Sequence, residues 1–106
     1  MTKIRVYQPI ENQLANVKHV IVDEEQNPNN EMLQNLYTCI LDTEDMSLPD
    51  SYIEEDILID SIEGIVNASA SKLRSLGAFD VIEVKHKGKQ TMILLLEDDE
   101  YEIISE

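Results

Sequence analysis

Carboxylates are the side chains present here in numbers large enough to do chemistry. Between positions 20 and 71 the chain carries 13 Asp and Glu and neither Lys nor Arg. They gather in the clusters Asp23-Glu24-Glu25, Asp42-Thr43-Glu44-Asp45 and Glu54-Glu55-Asp56, with Asp98-Asp99-Glu100 further on. Grouped carboxylates can bind calcium, share a proton in acid–base catalysis, or accept charge-assisted hydrogen bonds from Lys and Arg. An EF-hand needs alternating oxygen ligands around a central glycine, and none of the clusters has that spacing. Nothing singles out one pair for catalysis, so recognition of cations on a partner is the chemistry the pattern favours.

The other reactive residue types add little. His19 and His86 have no cysteine or second histidine at ligand spacing, and Cys39 stands alone, so zinc and an intramolecular disulfide are not expected. Glycine-rich phosphate loops, the G-x-S-x-G elbow and H-E-x-x-H are all absent from the sequence. The expectation is a non-enzymatic protein without metal or cofactor.

Charge is segregated along the chain. Residues 1–18 net +2, residues 20–71 net −13, residues 72–89 net +3 and residues 90–106 net −6, giving −14 in total. Interspersed charges relieve self-repulsion, and here they are not interspersed. A strong negative face attracts basic partners and repels phosphate, so direct nucleic-acid or membrane binding is not expected of most of the surface. The N-terminal residues lack the apolar stretch of a signal peptide, and the longest apolar run, 92–96, falls far short of the roughly 20 residues of a membrane span. A cytoplasmic protein is the corresponding expectation.

The elements that must position these residues follow from periodicity. With 106 residues and 42% hydrophobic content, one domain spanning 1–106 with one modest core is expected, built from Ile, Leu and Val because Phe79 and four Tyr are the only aromatics. Residues 3–7 alternate as a strand, with Ile4 and Val6 inward. The β-branched triplet Val20, Ile21 and Val22 predicts a second strand over 17–23. Asn30 is placed to cap a helix carrying Met32, Leu33, Leu36, Tyr37, Ile40 and Leu41 at helical spacing. Asp50 or Ser51 can cap a second helical region with a break near Asp60, after which Ile62, Val66, Leu73 and Leu76 share a stripe that ends at Gly77. Residues 79–85 and 89–96 predict a hairpin turning at Gly88, with 92–96 as an interior strand. Residues 101–104 predict an edge strand. The expected fold is α+β, a mainly antiparallel sheet with two central helices in the order ββααβββ.

Asp56, Asp60 and Glu63 fall on one helical row with Glu55 alongside, and no Lys is interleaved to relieve them. In charge and length the chain resembles small phage-encoded DNA-mimic inhibitors, among them uracil-DNA glycosylase inhibitors and anti-restriction or anti-CRISPR proteins. No motif carries residues over from them. That resemblance implies a protein whose carboxylates occupy the basic nucleic-acid site of a partner. The candidate partner-binding residues are Glu54, Glu55, Asp56, Asp60 and Glu63, supported by Asp42, Glu44 and Asp45.

Two alternatives use other features. Residues 69–77 followed by the hairpin with Lys85, Lys87 and Lys89 resemble a winged helix, in which a recognition helix enters the major groove and a basic hairpin touches the backbone. Alternatively, blocks of opposite sign could pair two copies as a homodimer or join the chain to others as an adaptor.

Overall fold

The computed structural model describes residues 2–46, 57–69, 73–86, 88–97 and 100–105. It contains a five-stranded sheet, wholly antiparallel, in the spatial order β2-β1-β3-β4-β5. The strands are β1 (Thr2–Pro9), β2 (Tyr37–Met46), β3 (Val81–His86), β4 (Lys89–Leu95) and β5 (Tyr101–Ser105). Three helices accompany them: α1 (Leu14–Lys18), α2 (Asn30–Asn35) and α3 (Ile57–Ala68). A 3-10 turn (Glu11–Gln13) leads into α1, and a π-helical turn (His19–Asp23) follows it. The α+β class and the antiparallel sheet are as expected from the sequence.

Alternation on the strands divides the core in two. Ile4, Val6, Ile82, Val84, Ile93 and Leu95 point to one face, where Ile62 and Val66 of α3 cover them. Tyr7, Val81 and Leu94 point to the other, where Val17, Met32 and Leu33 of the N-terminal helices lie over them. β4 is therefore apolar on both faces and interior, flanked by β3 and β5. Gly88 turns the β3–β4 hairpin at φ +82°, a conformation costly for any residue with a Cβ. β5 is an edge strand, as its position predicts.

Three expectations need correcting. Residues 17–23 are helical rather than a strand: Leu14, Val17, Val20 and Ile21 pack on the second core at helical spacing, and that burial overrides β-branched propensity. The helix expected from Asn30 is capped by Asn29 instead, whose carboxamide oxygen accepts from Met32 N at 2.9 Å; it ends at Asn35, and residues 37–46 form β2. A register shift between Val6 and Tyr7 leaves Ile40 as an extra residue between the pairs Val6–Leu41 and Tyr7–Cys39. Tyr37 and Ile40 fall on opposite cores by ordinary alternation, and the bulge brings Leu41 to the same core as Ile40, so a strand acquires the i, i+3, i+4 spacing of a helix. Third, α3 runs unbroken through Asp60 and stops at Ala68 rather than at Gly77, and residues 73–76 are bends. The proposed caps Asp50 and Ser51 lie outside the described residues.

Candidate functional site

The stripe Ile59, Ile62 and Val66 turns α3 toward the sheet, which leaves Asp60 and Glu63 on its exposed side. Opposite them, β4 ends at Leu95 and the chain turns into β5 through residues 96–100. That turn is closed by Leu96 N donating to Glu100 O at 2.8 Å, and it presents Glu97 and Glu100 to solvent. Residues 76–78 form a third wall. Together these segments enclose a surface cleft of about 680 Å³.

The cleft has two zones. Ile59, Leu76, Leu95 and Tyr101 supply apolar lining, while Asp60, Glu63, Glu97 and Glu100 supply four carboxylates, and among the described residues neither Lys nor Arg lines it. Glu97 also shares an exposed ion pair with Lys18, Nζ to Oε1 at 3.7 Å. Such surface pairs are weak, so this one competes little with an incoming cation. Among the described residues no three of His, Cys, Asp and Glu could hold a metal ion, so the carboxylates are spread around the cleft rather than converged on a point. An apolar lining with distributed carboxylates suits a cation on an aliphatic stem, the chemistry of Lys and Arg.

The third wall is held by buried polar side chains. The Gln8 amide donates to Arg74 O at 2.8 Å and to Asp80 Oδ2 at 3.1 Å, and its Oε1 accepts from Leu73 N at 2.8 Å and Arg74 N at 3.3 Å. Asp80 Oδ2 also accepts from Gly77 N at 2.9 Å, and Asn67 Oδ1 accepts from Leu76 N at 3.0 Å. Arg74 Nη2 donates to Pro9 O at 2.8 Å. Gln8 and Asp80 are fully buried, and Asp80 Oδ1 and Arg74 Nη1 have no partner. Burial pushes the Asp80 carboxyl up to about 6, against the opposing pull of the Gly77 N–H, the Gln8 amide and the Arg74 guanidinium. The neighbouring Phe79 has φ +72°, a left-handed conformation that costs a non-glycine residue about 1–3 kcal/mol. Its buried ring, its N–H to Leu95 O at 2.7 Å and the Tyr37 hydroxyl donating to its carbonyl at 2.7 Å hold it there. Burial, and then the charge of Asp80, push the Tyr37 hydroxyl upward, so it stays a donor.

The structure sorts the candidate residues from the sequence. Asp60 and Glu63 line the cleft. Glu54, Glu55 and Asp56 lie outside the described residues. Asp42 is exposed on β2, where Arg5 Nε reaches its Oδ2 at 3.3 Å. Glu44 and Asp45 belong to the same strand. β2 and β5 are opposite edges of the sheet, about 19 Å apart at the usual strand spacing, so Asp42 is not brought together with Asp60 and Glu63. Glu97 and Glu100 are cleft residues that sequence reasoning does not single out. The signal for them is an acidic turn that directly follows the most apolar strand, which forces those carboxylates to the rim of the core.

Of the winged-helix elements, the hairpin is present, with Lys85 and Lys89 exposed near its tip and Lys87 outside the described residues. Residues 73–76 are bends, with Leu73 and Arg74 bound to Gln8, so they present no helix to a groove. The Cys39 thiol is exposed on β2 and its pKa is raised, chiefly by desolvation, which disfavours the nucleophilic thiolate. Among the described residues no helix is long and apolar enough to cross a membrane. No protein-family model matches the chain, and no curated protein or solved structure matches it.

Proposed function

We propose that this chain is a non-enzymatic acidic interaction protein. It binds a basic site on a partner protein by taking a Lys or Arg side chain into the cleft between α3 and the β4–β5 turn. The observation that carries this reading is the lining of that cleft, where, among the described residues, four carboxylates and no base surround apolar contacts. The four carboxylates are exposed and so accessible to an incoming guanidinium, while the apolar lining can take its aliphatic stem. The net charge of −14 adds long-range steering toward a basic partner.

The partner class follows from the same electrostatics. Basic sites dense enough to select a strongly acidic domain are those that bind nucleic-acid phosphates. The proposed mechanism is steering followed by occlusion of such a groove, in the manner of a DNA-mimic inhibitor. Tagged protein incubated with nuclease-treated extract should retain a nucleic-acid-binding protein at low salt and lose it on addition of duplex DNA. Substituting Asp60, Glu63 and Glu100 by their amides should abolish that retention. A partner indifferent both to DNA and to these substitutions would refute the reading and favour an adaptor.

A further inference from the structure

We infer that Gln8, Arg74 and Asp80 form a proton-sensitive latch that sets how firmly residues 73–78, one wall of the acidic cleft, are held. The functional consequence rests on the cleft reading above, whereas the latch itself does not.

Besides Asn67 Oδ1 on Leu76 N, four side-chain contacts fix this wall from outside its own backbone. Gln8 on β1 takes Leu73 N, Arg74 N and Arg74 O, and Asp80 Oδ2 takes Gly77 N. The two anchors are joined by the bond from Gln8 Nε2 to Asp80 Oδ2. Any change at Asp80 is therefore felt at both ends of the wall, and Leu76, Gly77 and Ala78 are the wall residues that line the cleft.

Asp80 is poorly suited to carry its charge where it sits. Oδ2 has two donors, but Oδ1 is buried with no partner. An ionised carboxylate so placed has lost water on one oxygen without replacing it. Two titratable groups face it. Arg74, from the wall, offsets part of the charge, and Tyr37, from β2, is disfavoured as an anion by it. Placing the proton on Oδ1 removes the charge and leaves Oδ2 free to accept both existing bonds. Burial accordingly raises the carboxyl to about 6.

Below that pH the closed wall keeps both bonds to Oδ2 without burying a charge. Above it, opening the wall lets Oδ1 hydrate, so the closed state loses part of its advantage. A wall held less firmly is one that a bulky cationic side chain can displace, so the cleft is more adaptable above pH 6 than below it.

Carbon-detected NMR of the Asp80 carboxyl in the unmodified protein, with amide exchange over the same pH range, tests this. The carboxyl should titrate near pH 6. Protection of the Arg74 and Gly77 amides, corrected for base-catalysed intrinsic exchange, should fall by about tenfold between pH 5 and 8. In Asp80→Asn the amide nitrogen takes the place of the unpartnered oxygen, and protection should stay flat at the acid-side value. An Asp80 midpoint near 4, or the same decline in protection in Asp80→Asn, would overturn the latch, and the midpoint alone decides if that variant does not fold. A six-residue arginine peptide added at pH 7.5 separates the two claims. If it leaves the Leu96 and Tyr101 signals unmoved while Asp80 titrates near 6, the cleft reading fails and the latch stands. If it moves them while Asp80 titrates near 4, the reverse holds.

Discussion

Asp60 and Asp80 are the same chemical group, one lining the cleft and the other buried behind its wall, and the fold treats them in opposite ways. Asp60 is exposed on a helix with Glu63 one turn on, placed where charge is inexpensive and available to a partner. Asp80 is fully buried, with two donors on one oxygen and none on the other. The first carboxylate can be removed without touching a buried bond, whereas the second is tied through Gln8 to the backbone of the cleft wall. The contrast shows that the acidity of this chain is not one property. Most carboxylates serve the surface, and at least one serves the architecture.

The largest expected effect comes from breaking the buried side of that contrast. Gln8→Ala leaves Asp80 Oδ2 one donor short and orphans three backbone groups of residues 73 and 74. Unfolding in urea should show a loss of about 2–4 kcal/mol with little change in the slope.

Asp80→Asn should work in the other direction at neutral pH. The folded-state pKa of about 6 lies above the unfolded value of 3.8, so the native state binds the proton more tightly. The stabilisation from this group is complete below about pH 4 and is lost as the pH rises through about 6. The gap between the folded and unfolded values bounds the effect at about 3 kcal/mol. Melting curves of Asp80→Asn should therefore match the unmodified protein at pH 4 and exceed it at pH 8. A variant that is less stable at both values would mean that the charge itself holds the wall.

The exposed side should be nearly silent in stability. Neutralising Asp60 and Glu63 removes a like-charged pair one turn apart, so the melting temperature should hold or rise slightly. Smaller still is Asp42→Asn, which breaks an exposed pair with Arg5 at the far edge of the sheet. Its melting temperature and its partner binding should both be indistinguishable from those of the unmodified protein. A clear loss of binding would show that β2 belongs to the partner surface.

Much of the frame could be read from the sequence, and the failures have identifiable causes. Gly88 between two β-rich runs fixed the hairpin, and Ile62 with Val66 fixed the buried side of α3. β2 was hidden because one extra residue at Ile40 shifts the phase of alternation, and the resulting spacing is that of a helix. The strand expected at Val20 to Val22 gave way to burial of Val17, Val20 and Ile21 on one helical side. Half of the cleft was legible: Asp60 and Glu63 stood out by their row on α3, whereas Glu97 and Glu100 join them only through the topology of β4 and β5. The Gln8–Asp80 contact spans 72 positions and has no local signature. Gln8 in particular looks like any polar residue at the end of a strand.

The most direct test compares two triple variants that each carry three fewer negative charges. One is Asp60→Asn, Glu63→Gln and Glu100→Gln in the cleft. The other is Glu11→Gln, Glu25→Gln and Glu31→Gln, three exposed acids away from it. Calorimetric titration with a six-residue arginine peptide at fixed ionic strength separates local recognition from net charge. The account predicts that the cleft variant loses at least tenfold in affinity while the control stays within about twofold of the unmodified protein. Equal losses in both would show that the peptide reads only the overall field, and the cleft would then have no special claim as the binding site.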